Sequence, residues 1–539
     1  MKNTYYLTTP IYYVNDKPHI GHAYSTIAAD AFARFHRLKG EPVFFISGTD
    51  ENSQKNVQAM EKAGGSDLSA YLDEMSGVWR KTWGDLNITL DDFIRTTELR
   101  HLAGVERFWN AVKASGDLYE GTYEGLYCGG CEGFKTETDL ENGHCPLHPN
   151  RELDRISEKN YFFRLSAYRD QLLALYDEAS EFVMPEARRH EIRNYVADHM
   201  TDISVSREAK SVPVGIPVPG DESQRIYVWF DALVNYLTVA GYGTDDAAFQ
   251  ARWPADLHLV GKDILKFHCA LWPAMIMSAA KNDPLLADKA GKALLPKRVF
   301  AHGFFTIDGQ KISKSLGNAI DPREVAATYG FDAVRYYLLR EIPFGEDGDF
   351  SHARLAERYG SDLANTFGNL VQRTVAMSRK YFGGNVPMLE VDTAKDAEGE
   401  TAWMGWRGLE DVRRVVEVAY ADERADVALE AIWQGTPRGL SGLIQANKYI
   451  EETQPFKLVK EDEAAVGRVL YALLEACRWY AWLVSPVMPE TAEKVWATLG
   501  LDVKEERSKG WEKAFIWGGL QPGTALPEPE PLFPRVEQA

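Results

Sequence analysis

The first fifty residues alternate between a strand pattern, a helix pattern and a second strand pattern, and this alternation constrains the fold most. Residues 4–14, TYYLTTPIYYV, are rich in Tyr and Thr, which favour strands. From Ile20 to Leu38 apolar residues recur at spacings of three and four, which predicts a helix that stops at Gly40. Residues 42–47, PVFFIS, predict a buried strand. A strand–helix–strand unit of this kind predicts a parallel sheet that binds ligands at the carboxyl ends of its strands.

The bulk composition is that of an ordinary globular chain. Its 539 residues predict roughly three or four domains. The formal net charge of -19 argues against a general coat for nucleic acid but permits a local basic groove. The sequence shows neither an apolar run long enough for a membrane span nor a signal peptide, and five cysteines suit a reducing compartment. We therefore expect a cytoplasmic protein that does not bind membranes.

Two histidines, His19 and His22, occur where the first strand pattern gives way to the helix pattern. A helix N-terminus offers N–H groups and a partial positive charge, which suit a phosphate group. Gly21 lacks a Cβ atom, so a base or a ribose could approach the backbone closely. The imidazoles can donate hydrogen bonds to phosphate oxygens as charge builds up in a displacement reaction. On this motif alone, two surface histidines are an equally good interpretation.

A second motif, DGQKISKSLGN at residues 308–318, places Lys311 and Lys314 among small polar residues after a strand or hairpin pattern. Two ammonium groups on such a loop can bind a triphosphate and neutralise charge as pyrophosphate leaves. Alone, the motif is better explained as a solvated loop. Together with the histidine motif it is the signature of class I aminoacyl-tRNA synthetases, which the chain resembles strongly. KISKS differs from the commonest form, KMSKS, only by Ile312, which leaves both lysines in place.

Four stretches, GTDENSQK, YVWFDALVNYL, GKDILKFH and HGFFTIDGQKISKS, resemble methionyl-tRNA synthetases, and the resemblance is collinear over nearly the whole chain. It implies that Asp50 holds the α-ammonium group of methionine and that Gly261 and Asp263 lie near the ribose of ATP. An aromatic pocket suits a thioether, and a hydrogen-bonding group near the sulfur would disfavour leucine. The implied methionine-binding residues are Ile11, Tyr13, Asp50, Trp229, Ala232, Leu233, Tyr236, Ile264 and His268. The implied ATP-binding residues are His19, Gly21, His22, Gly261, Asp263, Lys311 and Lys314, of which the two histidines and two lysines would be catalytic.

Two features of these stretches leave other interpretations open. Trp229 and Tyr236 are seven residues apart, so from their spacing alone a helical core stripe explains them equally well. Asn52 and Ser53 stand where the family often has His and Gly. This departure changes local loop contacts but leaves Asp50 in place.

A cysteine cluster predicts a metal site. CGGC contains Cys128 and Cys131, and CPLH contains Cys145 and His148. Three thiolates and one imidazole in this spacing are a tetrahedral ligand set for Zn²⁺. Four protein ligands leave no open coordination position, so one structural zinc is expected. In the resembling family such a knuckle lies in a connective domain, often with four cysteines.

From about residue 353 the pattern becomes helical and predicts an α-helical bundle. Asn369 and Arg373 are four residues apart and share a helix face, where alone they would be a solvated pair. The resemblance implies that they read the CAU anticodon, whose splayed bases can be stacked and hydrogen-bonded. Phe456 stands where the family usually has tryptophan, and it keeps a stacking face without the indole N–H. No C-terminal dimerisation module is seen, which favours a monomer.

The resemblance implies a methionine--tRNA ligase. Such an enzyme activates L-methionine with ATP and Mg²⁺ to methionyl-adenylate and transfers it to tRNA(Met), including initiator tRNA. The expected fold is α/β, with a Rossmann-type parallel-sheet catalytic domain split by a zinc-containing connective domain and followed by an α-helical anticodon-binding domain. The expected bounds are 1–115 and 226–325 for the two catalytic halves, 116–225 for the connective domain, 326–360 for a linker and 361–539 for the anticodon-binding domain with its extended tail.

Three other functions compete with this interpretation. A class I synthetase for isoleucine, valine or leucine would carry a large editing insertion, for which residues 116–225 leave little room. A non-catalytic, zinc-containing tRNA-binding protein with a synthetase-like body would have lost the phosphate-binding histidines or lysines, and all of them are present. A small-molecule nucleotidyltransferase shares the H-x-G-H motif but would not need the helical C-terminal third.

Overall fold

The computed structural model forms two compact units. Unit 1 comprises Met1–Lys17, Phe44–Thr82 and Leu90–His302, and unit 2 comprises Pro18–Val43, Trp83–Thr89 and Gly303–Ala539. Each unit is therefore assembled from separate stretches of the chain. The structure describes residues 4–130, 133–135, 139–146, 148–307, 309–312, 318–388, 406–436 and 441–536.

A six-stranded sheet organises unit 1, and it contains parallel pairings of Leu7 with Leu257, His258 with Val299, Val299 with Val183 and Ile46 with Asp92. From the middle of the sheet, the first three strands of the chain lie side by side toward one edge. Strands from later in the chain lie side by side toward the other edge. The order reverses between β1 and β12, which makes this the topological switch point where such sheets bind ligands. The predicted Rossmann-type parallel sheet is confirmed. In spatial order the strands are β3 (Asp92–Arg95), β2 (Val43–Asp50), β1 (Tyr5–Tyr13), β12 (Leu257–Gly261), β13 (Val299–His302) and β7 (Val183–Met184).

The central strands are buried along nearly their whole length, as expected for a parallel sheet that is covered on both faces. Two buried threonine hydroxyls in β1 are satisfied by neighbouring strands. Thr9 Oγ1 donates to Ser47 Oγ at 2.8 Å, and Thr8 Oγ1 is 2.7 Å from His258 Nδ1. These pairings let both threonines occupy the core with their hydroxyl groups hydrogen-bonded.

Two smaller sheets of unit 1 lie between β3 and β12 in the chain. One has the order β5-β4-β6-β8, and its long β4–β6 pair is antiparallel over ten residue pairs. The other has the order β10-β11-β9. Their strands are β4 (Leu118–Cys128), β5 (Gly133–Lys135), β6 (Asp154–Phe163), β8 (Ile203–Ser204), β9 (Ser206–Glu208), β10 (Pro217–Val218) and β11 (Asp221–Ile226).

Along the chain, α-helices lie between strands of unit 1. They are α2 (Gln54–Lys62), α3 (Leu68–Asp85), α4 (Leu99–Ala114), α5 (Arg169–Glu178), α6 (Glu186–Asp198), α7 (Val228–Thr238), α8 (Asp246–Arg252) and α9 (Trp272–Ala279). The last residues of α3, from Trp83, belong to unit 2. A π-helical turn, Phe267–Leu271, leads into α9.

Unit 2 contains α1 (Ile20–Leu38), a small three-stranded sheet and the helical part of the chain. The sheet has the order β15-β14-β16, with β14 (Phe305–Ile307), β15 (Gln310–Lys311) and β16 (Gly348–Asp349). The predicted helical bundle is confirmed, with a π-helix at Tyr359–Gly368 that the sequence pattern did not indicate. The helices are α10 (Pro322–Tyr329), α11 (Phe331–Arg340), α12 (His352–Arg358), α13 (Asn369–Tyr381), α14 (Trp406–Ala421), α15 (Ala425–Gln434), α16 (Leu443–Thr453), α17 (Pro455–Leu458), α18 (Glu463–Val484), α19 (Pro489–Thr498), α20 (Val503–Ser508) and α21 (Gly510–Ala514).

A buried ion pair joins α1 to the helical part of unit 2. The Asp30 carboxylate accepts hydrogen bonds from Arg335 at 2.6 Å and from Arg34 at 2.7 Å, and also from Thr89. Arg335 has no exposed side-chain surface and also donates to the Val487 carbonyl at 2.6 Å. Burial alone would raise the pKa of Asp30, but the two guanidinium groups outweigh it and hold that pKa below its ordinary value.

We predict that Arg335→Met strongly destabilises unit 2, because it leaves the Asp30 carboxylate buried without its partner. Removing one member of a buried pair costs about 3–5 kcal/mol. The pKa of Asp30 is depressed in the folded state, so its contribution is complete above the ordinary carboxyl pKa of about 4 and is lost as the pH falls below that value. Urea unfolding at several pH values measures both effects.

Arg34→Met is the matched control, because Arg34 bonds the same carboxylate with 14% of its side chain exposed. It should cost clearly less than the Arg335 variant. Equal losses in the two variants would show that burial of Arg335 does not matter.

Candidate active site

The N-terminus of α1 is capped by two histidines. The Gly21 N–H donates to His19 Nδ1 at 3.1 Å, and the His19 N–H donates to His22 Nδ1 at 3.2 Å. The two rings stack with centroids 3.7 Å apart. Because each Nδ1 accepts a hydrogen bond, each neutral ring carries its proton on Nε2, the donor tautomer that a phosphate oxygen requires. No acidic residue occupies the first turn, so the helix end keeps its positive potential.

The strands around the lysine motif lie close to this helix end, within unit 2. Lys311 pairs with Thr306 across β14 and β15. Ile312 is buried, and its Cδ1 lies 4.0 Å from where a Cβ atom on Gly21 would stand. On the far side of the motif, the Ile320 carbonyl accepts the Ile20 N–H at 2.9 Å. The motif is thus flanked on both sides by contacts to α1. Lys314 and the side chain of Lys311 lie outside the described residues.

A cavity of about 30 Å³ lies at the carboxyl ends of β1 and β2 in unit 1. This volume is about that of one water molecule. All nine residues predicted to bind methionine line the cavity. Two residues that the sequence did not suggest, Pro10 and Asn235, line it too. The full lining is Pro10, Ile11, Tyr13, Asp50, Trp229, Ala232, Leu233, Asn235, Tyr236, Ile264 and His268.

Hydrogen bonds fix the polar pair of this cavity. His268 Nδ1 lies 3.1 Å from the Ile264 carbonyl, which can only accept, so Nδ1 carries the proton. His268 Nε2 therefore accepts, and the Tyr236 hydroxyl donates to it at 2.8 Å. Burial lowers the pKa of His268 to about 4. The imidazole is consequently neutral at physiological pH, which suits an uncharged thioether better than an imidazolium would.

Trp229, which lines the cavity, is part of an aromatic stack. The rings of Trp229 and Phe267 are parallel within 4°, with centroids 4.0 Å apart. Trp229 Nε1 is buried and has no hydrogen-bond partner among the described residues. Phe267 was not predicted as a site residue, although it directly precedes His268. The stack keeps the Trp229 side chain in one orientation over a pocket of mostly apolar residues.

Two adjacent carboxylates at the end of β2 have different roles. Glu51 accepts from Arg95 and from Thr49, at 2.7 and 2.9 Å, and is 1% exposed. Its charge is therefore compensated within the protein. Asp50 lines the cavity instead. Of this pair, Asp50 is therefore the carboxylate that a molecule in the cavity could contact.

The end of β12 carries the remaining predicted nucleotide residues. Gly261 is the last residue of the strand and is buried, and Asp263 is exposed in the 3₁₀ turn Lys262–Ile264 that follows. Both lie at the carboxyl edge of the sheet beside the switch point. Ile264, in the same turn, lines the cavity.

Three of the four predicted metal ligands converge. Cys128 Sγ and Cys145 Sγ lie 3.8 and 3.9 Å from His148 Nδ1. Ligands of a tetrahedral zinc, at ordinary Zn–S and Zn–N distances, are separated by roughly 3.6 Å. A Cβ atom on Gly130 would stand 2.5 Å from the His148 ring, so glycine makes room for the imidazole. Cys131 lies outside the described residues.

The predicted anticodon residues lie on helices of unit 2. Arg373 Nη2 forms an ion pair with Glu451 at 2.7 Å, and Asn369 Nδ2 donates weakly to Asn447 at 3.4 Å. The face that Asn369 and Arg373 share on α13 thus meets α16. Phe456, on α17, is 41% exposed, which is compatible with stacking on a base.

Comparisons with protein-family models and with related proteins identify the family of this chain. The model for class I (M) tRNA synthetases matches residues 5–157 and 137–375, and the model for the anticodon-binding domain of methionyl tRNA ligase matches 422–539. The methionine--tRNA ligase of Thermotoga maritima is 43% identical over 99% of this chain and 80% of its own length. That of Streptomyces coelicolor is 40% identical over 99% and 97%.

This chain belongs to the methionyl-tRNA synthetase family. A solved structure agrees. The methionyl-tRNA synthetase of Mycobacterium tuberculosis, in complex with methionyl-adenylate, superimposes with a TM-score of 0.87 at 40% identity, covering 99% of this chain and 100% of that one. The helical region that matches at residues 422–539 is therefore an anticodon-binding domain of the methionyl tRNA ligase type, as the resemblance implied. Among the described residues, no helix combines the length and apolar character needed to cross a membrane.

For this methionyl-tRNA synthetase family member, we predict that His268 stays neutral, with its proton on Nδ1, between about pH 5.5 and 8. The reason is burial, which lowers its pKa to about 4. Nitrogen NMR of histidine-labelled protein should show unchanged His268 shifts over this range, with the signal assigned by its loss in His268→Gln.

Tyr236→Phe provides the control, because it removes only the hydroxyl that donates to Nε2. The Nε2 shift should move while Nδ1 remains protonated. A titration of His268 with a midpoint above about pH 6 would contradict the assignment.

Proposed function

We propose that this chain activates L-methionine with Mg·ATP and transfers the methionyl group to tRNA(Met), including initiator tRNA. The observation that carries the proposal is the cavity of unit 1, which combines an aromatic and aliphatic lining, a neutral Tyr236–His268 pair and the Asp50 carboxylate. These features suit methionine, because its polarizable thioether makes favourable contacts with aromatic rings, its side chain is uncharged like the neutral pair, and its ammonium group needs a carboxylate. Leucine and isoleucine lack the sulfur and would not gain the sulfur–ring contacts.

In the proposed reaction no protein side chain acts as a nucleophile. A carboxylate oxygen of methionine forms a bond to the α-phosphorus of ATP, and the bond from that phosphorus to the β-phosphate bridging oxygen breaks, releasing pyrophosphate. His19 and His22 would donate Nε2–H groups to phosphate oxygens, and Lys311 and Lys314 would neutralise the leaving pyrophosphate. Such contacts act by positioning and charge stabilisation.

The remaining nucleotide contacts in the proposal involve backbone and ribose. Gly21 gives the base or ribose access to the backbone, and Gly261 with Asp263 binds the ribose.

The proposed domains keep the bounds expected from the sequence, with catalytic halves at 1–115 and 226–325. We propose that the enzyme acts in the cytoplasm as a monomer. The cysteines among the described residues form no disulfide, which fits a reducing compartment.

We propose further that Cys128, Cys131, Cys145 and His148 hold one structural Zn²⁺. The geometry of the three described ligands supports this, since their donor atoms lie within 4.8 Å of one another. When bound, the metal would tie the β4–β5 hairpin to the segment around Cys145. It would supply no catalysis, because four protein ligands leave no position for water or substrate.

Metal analysis tests the zinc site. The purified protein should contain about one zinc per chain, and Cys145→Ala should lose most of it, because a buried thiolate ligand is removed. Cys477→Ala is the matched control, since Cys477 is equally buried but lies in α18. Freshly prepared protein without zinc would overturn the proposal.

We also propose that Asn369, Arg373 and Phe456 read the anticodon. The exposed position of the Arg373–Glu451 pair supports an exchange in which a base or phosphate replaces the carboxylate as partner of the guanidinium. Exposed ion pairs contribute only about 0–1 kcal/mol, so this exchange would cost little. Phe456 would stack on a base without the indole hydrogen bond that tryptophan provides.

Arg373→Ala should therefore leave methionine-dependent ATP–pyrophosphate exchange nearly intact while lowering aminoacylation of tRNA(Met) about 10- to 150-fold, the cost of one charge-assisted hydrogen bond. A tRNA with an altered anticodon should be almost insensitive to the substitution, because it has already lost that contact.

Lys448→Ala is the matched control, because Lys448 is an exposed cation of α16 that pairs with Glu452. It should change charging by no more than about two-fold, the size of a surface-pair effect. If Arg373→Ala reduces charging of both tRNAs equally, Arg373 contacts the tRNA backbone or stabilises the fold, and its role in reading the anticodon is wrong.

A further inference from the structure

A buried polar bridge in unit 1 joins three elements behind the cavity. Asn52, just after β2, donates through Nδ2 to Asp231 Oδ2 at 2.7 Å. The other oxygen of Asp231 lies 2.6 Å from His101 Nε2, and His101 Nδ1 lies 3.0 Å from Thr238 Oγ1. Asp231 and Thr238 belong to α7, and His101 belongs to α4. The bridge therefore connects the end of β2 to α7 and α4.

The side chains of the hydrogen-bonded pair His101 and Asp231 are inaccessible to water. A carboxylate can only accept, so His101 Nε2 carries a proton and donates to Asp231. A buried carboxylate without partners would be costly, and here each of its oxygens accepts one hydrogen bond. The Asn52 contact thus satisfies an atom that would otherwise be buried without a partner.

The bridge lies between two groups of cavity residues. Asp50 is two residues before Asn52, and Trp229, Ala232 and Tyr236 are on the same helix as Asp231. Asn52 also donates to the Thr96 carbonyl at 3.3 Å, which anchors the segment after β2 to the chain beyond β3. The separation between the Asp50 carboxylate and the α7 wall of the cavity is therefore held by hydrogen bonds and not by apolar packing alone.

We propose that Asn52, Asp231 and His101 form a positioning bridge that sets the distance between the ammonium-binding carboxylate and the side-chain pocket. This inference rests on the proposed methionine-binding role of the cavity. It makes the bridge a determinant of substrate length, because the ammonium group and the thioether of one ligand must both reach their partners. None of the three residues lines the cavity, so in this proposal they act through Asp50 and α7.

The test exploits the near-identical shapes of Asn and Asp. Asn52→Asp replaces the donor by a second carboxylate facing Asp231, while the double variant Asn52→Asp/Asp231→Asn restores a donor and an acceptor in reversed order. In the double variant, the amide oxygen introduced at position 231 can still accept from His101. Asn52→Ala removes the hydrogen bond to Asp231 without placing a second negative charge beside it. Because Asn52 is half-buried, this variant is expected to fold. Asn282→Asp is the control, because the Asn282 side chain donates to a backbone carbonyl, that of Ala111, elsewhere in unit 1.

The measurement is ATP–pyrophosphate exchange driven by methionine and by ethionine, which is one methylene longer. Asn52→Asp should raise KM for methionine about ten-fold or more while kcat and KM for ATP change less than about three-fold. The double variant should lower KM at least about three-fold below that of Asn52→Asp, without a full return to the parent value, because an Asp at position 52 cannot donate to the Thr96 carbonyl. Asn52→Ala should lower the preference for methionine over ethionine, and Asn282→Asp should change none of these values.

Three results would overturn the proposal. The first is an unchanged KM for methionine in Asn52→Asp. The second is a double variant that is no better than Asn52→Asp, and the third is an unchanged methionine-to-ethionine preference in Asn52→Ala. A parent chain that exchanges with no amino acid would instead remove the proposed function itself, and the bridge would fall with it. Thermal melting of each variant identifies any loss of kinetics that comes from unfolding.

Discussion

The hydrogen bonds to the Asp30 carboxylate are the interaction on which the architecture of unit 2 most depends. Three residues, Arg34, Thr89 and Arg335, donate to it, and the last two are far from Asp30 in the chain. Asp30 lies on α1, the helix whose N-terminus carries the histidine motif, and Arg335 lies on α11 and also bonds to the carbonyl that precedes α19 by two residues. A helix end can bind phosphate in a fixed geometry only if the helix is held in place. A charged and directional anchor achieves this better than apolar contacts, which permit sliding.

The cavity of unit 1 illustrates how burial assigns chemical roles to ordinary residues. His268 is neutral because burial lowers its pKa to about 4, and the Ile264 carbonyl fixes the tautomer. His258, behind it, is also held neutral, because burial and the nearby His268 lower its pKa. A pair of neutral imidazoles around Tyr236 allows hydrogen bonding without introducing charge into an apolar pocket. This combination fits a thioether, which carries no charge and makes favourable contacts with aromatic rings.

The sequence predicted the elements whose signals are local. The parallel sheet follows from apolar runs and helical spacing near the N-terminus, and the cavity residues follow from stretches such as YVWFDALVNYL that resemble the family. The sequence did not reveal the contacts that depend on distant pairing. Phe267 stacks on Trp229, far earlier in the chain, and the bridge between Asn52, His101 and Asp231 joins three separate elements. Neither follows from spacing, because both depend on how the strands bring those elements together.

The most direct test of the account is amino-acid-dependent ATP–pyrophosphate exchange, measured with each of the twenty amino acids under identical conditions. The account predicts exchange with methionine, and a kcat/KM for leucine and isoleucine lower by at least about 10-fold, because their branched side chains lack the polarizable sulfur that contacts the aromatic rings of the cavity. Exchange driven equally well by another aliphatic amino acid, or by none, would contradict it.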